Sequence, residues 1–319
     1  MIHKYGKFLI LILVIQVILT AVSLFSMGFL SGPTAPVMLF AGDKNDVTKI
    51  EIRGPSKLVV NLERSSPEGT WTLPNLDNFP ANNALVNRLI QRLSSTPLGI
   101  EVSKQNDSFE RLKVATNLFE RKLLLSTPSN NTEIFFGSAP ALRQTHARIN
   151  DKNVVYAVKF APNDIDLNEN DWIQKDIFVQ NQGAINSLKF NQFHIERAKF
   201  NDVSTDNKKE WVFSRKGGPL IEENQKNIIQ LVLQIADMQI DSLALKQNEK
   251  DVRKAASLTF SLVLKNGKNV YFNFTKIKGE EDYLMTTSLR SGVYKLPPLS
   301  GKSLIELATL KNLQKATAK

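Results

Sequence analysis

The chain has 319 residues, 42% hydrophobic and 23% charged, which is ordinary globular composition with room for two domains plus accessories and excludes large-scale disorder. It has no Cys, which excludes disulfides, thiolate nucleophiles and Cys-ligated zinc but leaves the redox compartment open. The formal net charge of +10 is uneven: residues 43–181 balance 17 Lys+Arg against 17 Asp+Glu, while residues 182–319 carry 22 against 14. These lysines are scattered, not clustered as in nucleic-acid arms, so no nucleic-acid partner is expected.

Residues 1–7 precede FLILILVIQVILTAVSLFSMGFL, an uncharged run over residues 8–30. At about 1.5 Å per residue it is long enough for a hydrocarbon core of about 30 Å, which predicts a transmembrane helix. A cleavable signal peptide has a shorter apolar region, and Ser31-Gly32-Pro33 is a poor cleavage context. Lys4 and Lys7 lie before the run and the next basic residue is Lys44. The positive-inside rule therefore expects a cytoplasmic N-terminus and an extracytoplasmic body. Gln16, Thr20 and Ser23, followed by Met27, fall on one helix face, a candidate contact with another membrane helix; the opposing reading is that the hydroxyls bond back to their own helix.

After an exit linker, residues 31–45, the first unit covers residues 46–181. VTKIEI, LVVNLE and TWTL read as strands, and Asn82 or Asn83 can cap a helix with Leu85, Leu89, Ile90 and Leu93 on one face. SFERLKVATNLFE predicts a second helix. KLLLST, EIFFGS, ARIN and VVYAVKF are strands, the last two joined at an Asp151-Lys152-Asn153 corner, and FAPNDIDLNENDWIQKDIF is a short acidic closure.

The second unit, residues 182–319, says the same again. AINSLKF corresponds to VTKIEI, HIERAKF to LVVNLE and EWVFS to TWTL, and a helix follows with Ile228, Leu231, Val232 and Ile235 on one face. LTFSLVLKNGKNVYFNF is a hairpin whose Asn266-Gly267 predicts a type I′ turn, and YLMTTSL and GVYKL are the late strands. In the last helix, Ser303 to Glu306 is a candidate capping box. The expected fold is α+β: a transmembrane helix, then two tandem related modules, each a mainly antiparallel sheet with helices on one face.

The chemistry-bearing residues are sparse. His3, His146 and His194 have no metal-binding spacing and read as surface or structural groups. Asp164, Asp166, Asn168 and Asn170 alternate as in a calcium loop, but Glu169 replaces its glycine and Lys175 its bidentate Glu. Glu280-Glu281-Asp282 and Gly217-Gly218-Pro219 read as turns. No nucleophile elbow or triad pattern is present, and no catalytic residue, metal or cofactor is expected.

The anchor, LFAGDKNDVTKIEI, GTWTL, the Asn-capped helix, ARINDKNVVYAV and the closure around Asp171, Trp172 and Ile173 together resemble the bacterial domain-of-unknown-function family 4340. The likeness covers most of the first unit, with a weaker echo in the second, which lacks the Asp-Trp-Ile closure. It implies an inner-membrane-anchored protein facing the periplasm, often encoded beside components of gliding-motility-type ABC transporters. The expected function is thus a non-enzymatic accessory subunit with transporter partners, and Asp171, Trp172 and Ile173 are a candidate interaction closure. The alternative is a module that binds an anionic glycan or lipid through the basic second unit.

Overall fold

A computed structural model describes residues 2–26, 36–56, 58–150, 152–198, 210–215, 223–277, 279 and 281–314. The chain is α+β, with two antiparallel sheets and a few helices. The opening helix α1 (Ile2–Ser26) is followed by β1 (Lys49–Arg53), β2 (Val59–Glu63), β3 (Thr72–Leu73), β4 (Phe79–Pro80), α2 (Asn83–Ser95), β5 (Ile100–Ser103), α3 (Ser108–Arg111), β6 (Arg121–Ser126), β7 (Asn131–Phe136), β8 (Thr145–Ile149) and β9 (Val155–Val158). The second set is β10 (Ile185–Phe190), β11 (Phe193–Arg197), β12 (Trp211–Arg215), α4 (Gln225–Ala236), β13 (Ser242–Leu243), α5 (Glu249–Lys254), β14 (Leu258–Leu264), β15 (Asn269–Lys276), β16 (Tyr283–Thr287), β17 (Tyr294–Leu296), α6 (Pro298–Leu307) and α7 (Leu310–Leu313).

The duplication is visible in the strand order. The first sheet runs β4-β3-β2-β1-β6-β7-β8-β9-β5 and the second β12-β11-β10-β14-β15-β16-β17-β13, the same path without a described counterpart of β4. Period-2 alternation explains why these segments are strands: Ile50, Ile52, Val60 and Leu62 are fully buried while their neighbours are not. The repeat also preserves side-chain contacts. Arg64 lies 4.8 Å over the Trp71 ring and donates to the Val47 carbonyl; Arg197 lies 4.4 Å over Trp211 and donates to the Ile185 carbonyl. Burial holds the Arg64 guanidinium below its usual pKa, with Asp46 opposing the shift.

Helix α4 buries the stripe read from its sequence, Ile228, Leu231, Val232 and Ile235, and α2 buries Leu89, Ile90 and Leu93 as expected, but Val86 takes the fourth buried place and Leu85 is only half-buried. Asn82 is the cap of α2, accepting from the Leu85 amide at 3.1 Å, while Asn83 accepts from the Trp71 amide at 2.8 Å. One hydrophobic cluster runs from Leu39 to Leu313 through both modules.

Local geometry corrects several expectations. SFERLKVATNLFE keeps only the short α3, because Lys113 takes a left-handed φ of 55° and the chain folds back into a bridge between Val114 and Phe119. The β14–β15 turn is not type I′: only Gly267 has positive φ, and the Gly267 amide donates to the Leu264 carbonyl, giving a three-residue loop that ends in a left-handed glycine. The expected closing helix is α6, which begins at Pro298, whose ring presets the first helical φ, so Ser303 lies inside the helix and donates to Gln234 instead of forming a capping box. Part of the Asp151-Lys152-Asn153 corner, Asp151, lies outside the described residues, as do Gly217-Gly218-Pro219, Glu280 and His3's side chain.

The helices also occupy both faces of the sheets, not one. Ile134 and Phe136 enter the main cluster, whereas Phe135 joins Leu112, Val114 and Val155 beside Phe109 of α3. Tyr283 and Met285 likewise face the main cluster, while Leu284 packs with Val252 of α5. Alternate residues of a strand point to opposite faces, so each sheet has two covered sides.

The transmembrane expectation is not met as stated. Among the described residues no helix is long and apolar enough to cross a membrane. Helix α1 spans 25 residues, but its described side chains cover only residues 9–23, about 22 Å of rise against a core of about 30 Å. Met27 to Leu30 lie outside the described residues.

Candidate functional site

The closure that the sequence singles out lies at the seam between the modules. After β9 the chain makes two short 3₁₀ turns, Pro162–Asp164 and Glu169–Asp171, then runs extended past the edge of β4. The Asn82 amide donates to the Trp172 carbonyl at 2.7 Å, Ala81 bridges Ile173, and the Gln174 amide donates to the Pro80 carbonyl at 2.8 Å. The next residue turns the contact to the second module: the Ile240 amide donates to the Lys175 carbonyl at 2.9 Å, and the Leu243 amide to Asn170 Oδ1 at 2.9 Å. The strap thus joins the β4 edge of one sheet to the β13 edge of the other.

Trp172 and Ile173 are buried at 1% exposure each. The Trp172 indole N–H donates to the Asp166 carbonyl at 3.1 Å. These two side chains are spent inside the molecule, and of the three closure residues only Asp171 is exposed. The calcium-like positions are also used structurally. Asp164 pairs with Arg92 at 2.7 Å, Asn168 caps the Asn170 amide, and Asn170 accepts from Leu243. Among the described residues no group of three or more His, Cys, Asp or Glu is placed to hold a metal ion.

Around the strap the seam is aromatic. Tyr294 meets Phe178 edge-on at 4.8 Å and Phe79 at 6.2 Å, and Arg290 sits 4.9 Å over Phe79. Burial raises the Tyr294 hydroxyl to about 12, and that hydroxyl donates to the Ser291 carbonyl at 2.8 Å. A cleft of about 500 Å³ opens beside the strap, lined by Asn82, Asn83 and Ala84 at the start of α2, by Asp171, Ile173, Lys175 and Asp176, and by Gln239 from the second module. Gln239 also borders a cleft of about 410 Å³ between α4 and α6, where Gln234 binds the Ser300 carbonyl at 2.8 Å. Such walls can hydrogen-bond a polar segment; they carry neither an aligned nucleophile and base nor a buried carboxylate pair.

The other singled-out residues lie elsewhere. On α1, the Thr20 hydroxyl donates to the Gln16 carbonyl at 2.7 Å, so Thr20 bonds back to its own helix. His146 is buried beside Ser138, whose Oγ lies 3.0 Å from Nδ1; burial first, and Arg111 after it, keep the imidazole below its usual pKa, against a hydrogen bond with the Ser138 backbone. His194 is half-buried, and its Nδ1 lies 3.1 Å from the Ser214 Oγ. The basic excess of the second module is partly answered by its own carboxylates: Lys295 pairs with Asp282 at 2.6 Å and Arg197 with Glu210 at 3.0 Å.

The second module has a closure after all. The Asn224 amide donates to the Leu313 carbonyl at 2.9 Å and Glu223 bridges Gln314, reproducing Asn82–Trp172 and Ala81–Ile173. Sequence reading missed it because backbone groups make these bonds and Leu313-Gln314 shares no side chain with Trp172-Ile173. The lead-in repeats too: the Leu98 amide donates to the Val37 carbonyl at 2.8 Å as Ile240 does to Lys175. Seam residues such as Phe79 and Tyr294 had no motif to betray them. The Arg clamps did have one, the Glu-Arg pair repeated at Glu63-Arg64 and Glu196-Arg197.

Fold and seam define a class of protein in which two copies of one α+β module are joined by a buried strap. The family model described as Domain of unknown function (DUF4340) matches residues 71–259. That is more than half of the chain, and the chain belongs to this family. The match opens at Trp71 in the first module and ends in β14 of the second, so it straddles the seam and reaches farther into the second module than the sequence likeness suggested. No curated protein and no solved structure matches the chain.

Proposed function

We propose that the chain is a membrane-anchored accessory subunit of a bacterial envelope transport complex, facing the periplasm and binding integral membrane transporter subunits instead of turning over a substrate. The observation that carries this reading is α1. It is a continuous helix without an acidic residue, and its described side chains from Leu9 to Val22 are exposed, among them Leu9 at 64%, Leu13 at 60% and Leu19 at 63%. A run of uncovered apolar side chains of this size marks contact with lipid or protein. With Lys4 and Lys7 on its N-terminal side, the same run favours a cytoplasmic start.

The two-module body adds support, since its conspicuous side chains are engaged in packing and in the strap while the cleft beside the strap exposes amides and carboxylates suited to a polar protein partner. The test is carbonate extraction of native membranes followed by purification in mild detergent. The full chain is expected to stay with the membrane and to bring transporter subunits with it. Release by carbonate, or recovery of the chain alone, would sink the proposal.

A further inference from the structure

The first module has a cationic pocket whose counterpart in the second is neutralised from within. A cavity of about 280 Å³ lies along α2, lined by Lys44, Asn45, Arg64, Asn87, Ile90 and Gln91 and by no carboxylate. Its two helix amides are oriented by groups that can only donate. The Trp71 indole donates to Asn87 Oδ1 at 3.2 Å and Lys44 Nζ to Gln91 Oε1 at 2.6 Å. Both amide oxygens are thus engaged, while neither amide NH₂ has a partner among the described residues. Arg64 donates to the Val47 and Asn45 carbonyls, each at 2.7 Å, through Nε and Nη2; among the described residues its Nη1 has no partner. Asp46 acts on Arg64 through space but forms no ion pair with it. The pocket walls therefore offer two cations and a set of hydrogen-bond donors.

The second module shows what this arrangement accepts. Arg197 makes the same two backbone contacts, Nε to the Ile185 carbonyl and Nη2 to the Gln182 carbonyl, and its Nη1 donates to Glu210 Oε1 at 3.0 Å. Glu210 precedes Trp211 as Thr70 precedes Trp71, so a hydroxyl stands in the first module where the second has a carboxylate. Counted from the caps Asn82 and Asn224, Asn87 and Gln91 correspond to Ile229 and Leu233. One arginine is answered by the chain's own carboxylate beside apolar groups; the other keeps donors around it and no carboxylate.

We propose that the pocket of the first module binds a phosphate oxyanion, either inorganic phosphate or the phosphodiester of a lipid headgroup. Lys44 and Arg64 supply the charge, and the Asn87 and Gln91 amides the further hydrogen bonds, in charge-assisted contacts of the kind that phosphate oxygens accept. The site is independent of the transport role, because it needs no protein partner.

The full chain in an uncharged, phosphate-free detergent is titrated against inorganic phosphate and, in a second arm, against the same micelles doped with phosphatidylglycerol, with the phosphorus NMR linewidth as readout. Broadening of inorganic phosphate assigns the site to the free anion; broadening of the lipid phosphorus alone assigns it to the headgroup. In either arm Lys44→Gln is expected to weaken binding about ten-fold, the effect of one charged hydrogen bond. Thr70→Glu, which copies Glu210, is expected to abolish it, whereas Thr70→Lys should tighten it, a gain that a damaged fold does not give. Both positions are exposed. The proposal is overturned if neither arm shows binding, or if binding is indifferent to Lys44→Gln and to the sign of the charge at position 70.

Discussion

At the scale of single residues, the duplication provides an internal control. Trp71 and Trp211 are both fully buried beneath an arginine. The Trp71 indole donates to Asn87 Oδ1 at 3.2 Å, but the helix position that corresponds to Asn87 is Ile229, and the Trp211 indole N–H has no partner among the described residues. A buried donor without an acceptor costs about 1–3 kcal/mol. Both Trp→Phe changes lose packing, yet Trp211→Phe also removes an unpaired donor while Trp71→Phe breaks a bond. Trp211→Phe should therefore be the milder change by about 1–2 kcal/mol in urea unfolding; equal losses would refute the assignment. His146 gives a pH prediction. Its folded pKa lies below the ordinary 6.5, so in that window the unfolded chain binds a proton that the folded chain does not. Its contribution is complete above that value and is lost as pH falls through it. The urea midpoint should drop between about pH 7.5 and about pH 5.5, and His146→Gln should remove that part of the slope.

At the scale of elements, strands and the two long helices were legible because each carries its own periodicity and caps. The closure was legible only as a conspicuous string. Asp171-Trp172-Ile173 reads as a surface motif, but an extended segment laid along a sheet edge hides its side chains according to what lies beneath, and here that is the α2–β4 joint. Trp172→Ala should cost about 3–5 kcal/mol. Because the following residues bind the second module, the tryptophan environments of both modules should melt together at the lowered midpoint. A change that melts one module separately would show that the strap does not couple them. The failed helix after α3 has a similar cause: its apolar spacing is helical, but Phe109, Leu112, Val114 and Phe119 are better buried against Phe135 when Lys113 reverses the chain.

At the scale of the whole molecule, the repeat was visible before any coordinates, in the matching strand order, two Trp-bearing strands and the apolar-striped helix that follows each. Sequence by itself determined the fold class, the order of the strands along the chain and the family, since these rest on local alternation, capping chemistry and recurring short patterns. Only the tertiary structure decided how the modules meet, that both sheet faces are covered and that the closure occurs twice. Those features depend on backbone hydrogen bonds and on burial between residues far apart in the chain, such as Asn82 with Trp172 and Phe79 with Tyr294. A backbone amide carries no signature of its partner in the amino-acid sequence, and neither does an aromatic ring whose neighbour arrives more than two hundred residues later.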